Sequence, residues 1–151
     1  MLQDQSEDIR VDNITGIFET YGIDLSWFST SVGPVTFKYE FKPEGKKDIL
    51  IYRAKKEDIF LAMKSLIKYP HIYMAKSELY GDIVIVEAPK EEPEYVYLKD
   101  CLKEVDVKSY EIPIIFGKDT EGKIVVKDLV DIQNILMTGA TCTGKSVFLK
   151  S

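Results

Sequence analysis

The chain has 151 residues, 45% of them hydrophobic and 30% charged, with a formal net charge of −5 and a pI near 5.0. That composition belongs to a soluble globular protein with one core and room for the start of another. It excludes a chain coated in basic residues for nucleic acid, and two cysteines with one histidine exclude a zinc constellation. Sparse cysteine usage fits a reducing, cytoplasmic setting. Met1 to Arg10 is polar and acidic, unlike a signal peptide, and no apolar run approaches the roughly 18 residues of a membrane span.

In chain order, residues 1–12 read as a flexible, solvated tail. Ile14, Ile17, Phe18 and Tyr21 then share one face of a short helix, capped by Asp12 or Asn13 and ended by Gly22. Ile23 to Phe28 is expected to be extended. Gly33-Pro34 turns into a strand in which Val35, Phe37, Tyr39 and Phe41 alternate with Thr36, Lys38, Glu40 and Lys42, one face buried and the other wet. After a turn at Pro43-Glu44-Gly45, Ile49 to Tyr52 reads as a second strand. A helix follows, with Ile59, Phe60, Met63, Leu66 and Ile67 on one face and Glu57 and Asp58 in its first turn.

His71 to Met74 and Ile83 to Val86 read as further strands, the second interior because it is apolar throughout. Leu98, Cys101, Leu102 and Val105 again have helical spacing. Residues 13–110 thus form an α+β module, a mixed sheet with helices. From residue 111 the character changes: Ile112 to Phe116 and Lys123 to Val126 are short strands around a turn, and Ile135 to Met137 is a strand running straight into Gly139. Residues 111–151 therefore read as the opening of a second domain.

Gly139-Ala140-Thr141-Cys142-Thr143-Gly144-Lys145-Ser146 fits G-x-x-x-x-G-K-[ST] at every fixed position, the phosphate-binding P-loop (Walker A). Glycines at 139 and 144 allow backbone that a Cβ would hinder, so that successive N–H groups turn toward phosphate oxygens. Lys145 would reach the β- and γ-phosphates of ATP, and the Ser146 hydroxyl would ligate Mg²⁺. Val147 opens the helix whose N-terminus adds its dipole. Cys142 is either a reactive thiol near that helix start or simply a small residue facing away from phosphate. A working ATPase also needs an acidic strand for Mg²⁺ and a neighbour's arginine. The motif stands too near the end of the sequence to be followed by either, so these 151 residues alone are expected not to hydrolyse ATP.

Ile115-Phe-Gly-Lys-Asp119, Gly122, Val125-Val-Lys-Asp-Leu129 and Ile135 to Val147 resemble the entry into the motor of FtsK/SpoIIIE DNA translocases. Gly33 to Phe41 is similar to the strand that opens the α subdomain of that family. The resemblance runs from Thr15 to Ser151. Cys142-Thr143 stands where the family has Gly-Ser, Gln133-Asn134 where Pro-His is common, and Lys68 to Tyr80 lacks a Pro-Gly-Lys turn. It implies an α subdomain at 13–110 and, at 111–151, the first strand and P-loop of an α/β RecA-like motor domain, cut after Walker A. It further implies ATP, Mg²⁺, a hexameric ring of identical subunits around double-stranded DNA, and a role in chromosome partition at cell division. Many members anchor to the cell membrane through segments outside this sequence. Rival readings are a related motor for conjugation or secretion, and a non-catalytic ring-assembly module.

Val35 to Lys68 holds nine Lys/Arg against five Asp/Glu. Lys46, Lys47, Arg53, Lys55 and Lys56 are placed at loop ends, where they would contact DNA phosphates or serve as solvated edge charges. His71 reads as a turn residue without a carboxylate partner, and Trp27 and the tyrosines as core rather than base-stacking groups.

Overall fold

A computed structural model of the chain describes residues 2–132 and 134–149; Met1, Gln133, Lys150 and Ser151 lie outside the described residues. Contacts divide the chain into two compact units. The first runs to Val96 and also takes in Lys118–Lys123, and the second holds Tyr97–Gly117 and the chain from Ile124 onward.

In the first unit, four strands form one sheet in the order β1-β2-β4-β3, and every described pairing is antiparallel rather than mixed. The strands are β1 (Leu25–Val32), β2 (Thr36–Pro43), β3 (His71–Ser77) and β4 (Gly81–Pro89). The alternation read in β2 holds from Phe37 onward, with Tyr39 and Phe41 fully buried and Phe37 packed on the core, whereas Val35 precedes the strand and is exposed. β4 lies between two neighbours, and Ile83, Val84, Ile85 and Val86 are buried on both faces, as an interior strand requires.

Two helices cover one face of this sheet. The first, α1 (Leu2–Thr20), occupies most of the stretch expected to be a tail. Val11 explains part of the difference, because it is buried with Ile14 and Phe18 and so starts the apolar stripe one turn before Ile14, ahead of the expected caps Asp12 and Asn13. Gly22 ends the helix as expected, with φ at 73°. Its N–H donates to Glu19 O at 2.8 Å and the Ile23 N–H to Phe18 O at 3.1 Å, a Schellman closure that seats buried Ile23.

The second helix, α2 (Lys46–Met63), corrects the expected strand at Ile49 to Tyr52. Buried Asp48, Tyr52, Ile59 and Met63 recur at helical spacing, and a run of four apolar residues has no periodicity of its own. Glu57 and Asp58 therefore sit mid-helix, where the dipole argument does not apply. The N-terminus is set by Asp48, whose carboxylate accepts from Gly45 N at 2.8 Å and from Asp24 N at 3.1 Å. Replacing Asp48 by alanine orphans both donors at a site only 5% exposed. The expected cost is about 2 kcal/mol in a urea titration. An unchanged midpoint would show that Asp48 does not hold this junction.

Lys118–Lys123 packs within the first unit. Lys38 Nζ lies 3.0 Å from Glu40 and 2.9 Å from Glu121, and Lys123 Nζ lies 2.9 Å from the other oxygen of Glu121. A methyl group on Gly33 would come 2.4 Å from the Thr120 carbonyl oxygen, so only glycine admits this close approach. Hydrogen bonds from Lys38 and then Lys123 hold the Glu121 carboxyl down from 4.5 to about 2. A carboxylate depressed in the folded state stabilises it fully above the unfolded pKa. That stabilisation should be complete above pH 4.5 and vanish as the pH falls toward about 2. Urea midpoints of wild type and Glu121→Gln should differ at neutral pH and converge over that window; a constant gap would refute the assignment.

The second unit holds α3 (Leu98–Glu104) and a two-stranded sheet of β5 (Pro113–Lys118) and β6 (Ile124–Asp128), then a short helix α4 (Lys145–Phe148). Helix α3 and the two strands form close to the spans read from sequence, but α3 belongs to the second unit and not to the module expected at 13–110. Among the described residues, however, Ile135 to Met137 joins no strand. A strand is a paired state, and β5 and β6 pair only with each other. No described helix is long and apolar enough to cross a membrane.

Candidate nucleotide loop

The residues of the predicted phosphate loop form a turn that leads directly into α4. Gly144 is its N-cap at φ 87°, ψ 7°, a left-handed conformation natural to glycine. The Gly144 carbonyl then accepts from Val147 N at 3.0 Å and Phe148 N at 2.9 Å, starting the helix at Lys145. Gly139 serves space rather than dihedral freedom: a methyl there would lie 2.7 Å from Thr143 Oγ1. Cys142 is exposed and has φ 66°, the one positive value found at a non-glycine among the described residues. It stands where the resembling family carries glycine, so the backbone has kept a glycine's conformation without the glycine.

Lys145 spans the loop. Its ammonium donates to the Gly139 carbonyl and to the Ala140 carbonyl, the latter at 2.8 Å. An ammonium has three hydrogens, and two are engaged by these carbonyls. The third remains for an anion, and the positive charge is fixed beside a hollow lined by residues 141–147. Among the described residues, the walls of that hollow include Ser146 and no carboxylate, so nothing in it repels phosphate. An ammonium, a hydroxyl and a curved backbone are the donor set that a magnesium-bound polyphosphate needs, and the loop fits such a group.

The five predicted DNA-contact cations lie on α2: Lys46 and Lys47 open it beside the turn at Gly45, while Arg53, Lys55 and Lys56 lie within the helix and not at a loop end. All are exposed, yet they do not form one stripe. Lys46 and Arg53 share a face with Leu50, Glu57 and Leu61 by their i, i+4, i+7 spacing. Lys47 and Lys55 point elsewhere, and Lys55 pairs with Asp58 at 3.5 Å. His71 opens β3 and does have a carboxylate near it, Glu87 at 3.4 Å, contrary to the reading of a partnerless turn residue. Tyr39 and Tyr52 are core as expected, whereas Trp27 is 46% exposed, its Nε1 donating to Ser29 O and Thr30 Oγ1 at 3.0 Å.

Two aspartates that sequence reasoning gave no role turn out to organise backbone. Asp119 Oδ1 accepts from the Glu121 and Lys123 N–H groups, both at 2.9 Å. The Asp128 carboxylate accepts from Glu111, Ile112 and Val130 N–H groups at 2.6, 3.0 and 3.2 Å, which lowers its pKa. The signal was available: aspartate capturing an N–H two residues on is an Asx turn.

Residues 97–151 match the FtsK/SpoIIIE family. That segment of the chain is similar to FtsK/SpoIIIE proteins. Similarity extends beyond that segment through the first unit. A "DNA translocase FtsK" of Campylobacter jejuni (strain 81-176) is 29% identical over 99% of this chain and 16% of its own length. Its namesakes in Chlorobaculum tepidum and Caldanaerobacter subterraneus are 30% and 25% identical over 96% and 94% of this chain. The chain spans only 19% and 20% of those two relatives. The family-typical Gly-Lys-Asp and Asp-Leu positions are Asp119 and Asp128 with their neighbours, so those signatures coincide with backbone-organising carboxylates.

Proposed function

We propose that this chain supplies the nucleotide loop, and the α-type module before it, of an ATP-driven motor that moves double-stranded DNA in chromosome partition. The first unit would serve as the α subdomain, and the second would open a RecA-like motor domain. The loop at 139–147 carries this reading, because its glycine turn, spanning lysine and serine-bearing hollow lie inside the family-matched segment. When bound, Mg-ATP supplies the phosphoryl group whose transfer drives movement. The chain's own residues bind and orient it: the 139–144 backbone cradles phosphate oxygens, Lys145 neutralises them, and Ser146 offers its hydroxyl to the metal. We further expect that these 151 residues alone turn over no ATP. Steady phosphate release by the purified chain would contradict it.

The α2 cations would make backbone contacts indifferent to sequence, as a motor on arbitrary DNA requires. Six copies around the duplex would complete the machine. The test is displacement of a third strand from double-stranded DNA by the complete gene product. ATP-dependent displacement is expected. Assembly into rings without displacement or nucleotide binding would instead make this a non-catalytic assembly module.

A further inference from the structure

We propose that Thr143 is a positioning residue of the nucleotide loop, its hydroxyl bracing the turn that Cys142 strains; this rests on reading 139–147 as a nucleotide site. Thr143 Oγ1 donates to the Ala140 carbonyl oxygen at 2.8 Å, closing the loop across Thr141 and Cys142. Within that closure Cys142 is held at φ 66°, a region disfavoured for any residue with a Cβ. A family-typical glycine would rest there without restraint; a cysteine needs something to keep it there. The same Ala140 oxygen accepts Lys145 Nζ at 2.8 Å, so one acceptor fixes both the turn and the ammonium. Gly139 leaves the room, since any Cβ there would meet Thr143 Oγ1 at 2.7 Å.

Thr143→Val keeps the side chain's shape and removes the donor, while Thr143→Ser keeps the donor. Loss of one such bond frees Cys142 to relax and unseats the carbonyl that anchors Lys145. Affinity for a fluorescent ATP analogue with Mg²⁺ should fall about fivefold in Thr143→Val and stay near wild type in Thr143→Ser. Adding Cys142→Gly to Thr143→Val should restore most of the loss, because glycine holds the turn unaided. Thr143→Val binding as tightly as wild type overturns the brace. If wild type itself binds no nucleotide, the functional reading fails, and the brace is judged on the free chain. Backbone carbon shifts of Cys142 should then report the left-handed turn in wild type and Thr143→Ser but not in Thr143→Val. Identical shifts in all three overturn it.

Discussion

Replacing Phe18 by alanine should remove about 3–5 kcal/mol, a large share of the roughly 5–15 kcal/mol that holds an ordinary domain together. Phe18 is fully buried on α1, and its ring lies 6.3 Å from that of Phe41 on β2 and 6.4 Å from that of Tyr52 on α2. It is thus the point at which both helices and the sheet meet. Alanine would withdraw the ring from β2 and α2 at once, leaving a cavity that the Schellman closure at Gly22 and Ile23 cannot fill by sliding the helix. Urea unfolding followed by circular dichroism measures the loss. Phe18→Leu, which keeps most of the volume, should cost no more than about 1.5 kcal/mol. If the two variants lose the same amount, the cavity explanation is wrong.

The second large effect belongs to the loop. Lys145→Ala in the complete gene product should lower DNA-stimulated ATP hydrolysis by about 10²–10³-fold, the usual consequence of removing one charge-stabilising group from a transferring centre. The variant also loses the two bonds that span the loop, to Gly139 O and Ala140 O, so part of the loss should appear as weaker nucleotide binding. Phosphate release with and without duplex DNA separates the two parts. Hydrolysis at the wild-type rate would place the chemistry elsewhere.

The elements read correctly from sequence were those whose signal is local. β2 announced itself by strict alternation through Phe37, Tyr39 and Phe41, and the helix stop at Gly22 by its residue type. The turn at 139–146 that leads into α4 was legible for the same reason, since its shape rests on a glycine conformation and short-range bonds, whereas its binding of nucleotide remains a proposal. Failures came where structure depends on partners. Ile49 to Tyr52 is apolar enough for a strand, but Asp48 caps a helix there through bonds to Gly45 and to Asp24, well back in the chain. Ile135 to Met137 has a strand's composition, and composition supplies no neighbour to pair with. The strain at Cys142 could not be read at all, because φ is a property of the fold around it.

The measurement that bears most directly on the account is a Mg-ATP titration of the chain followed by amide chemical shifts. Saturable shifts confined to Gly139 through Val147, weakened when Ser146 is replaced by alanine, are the predicted result. Shifts that fall on other residues, or none at millimolar nucleotide, would contradict the reading of this loop as the place where ATP binds.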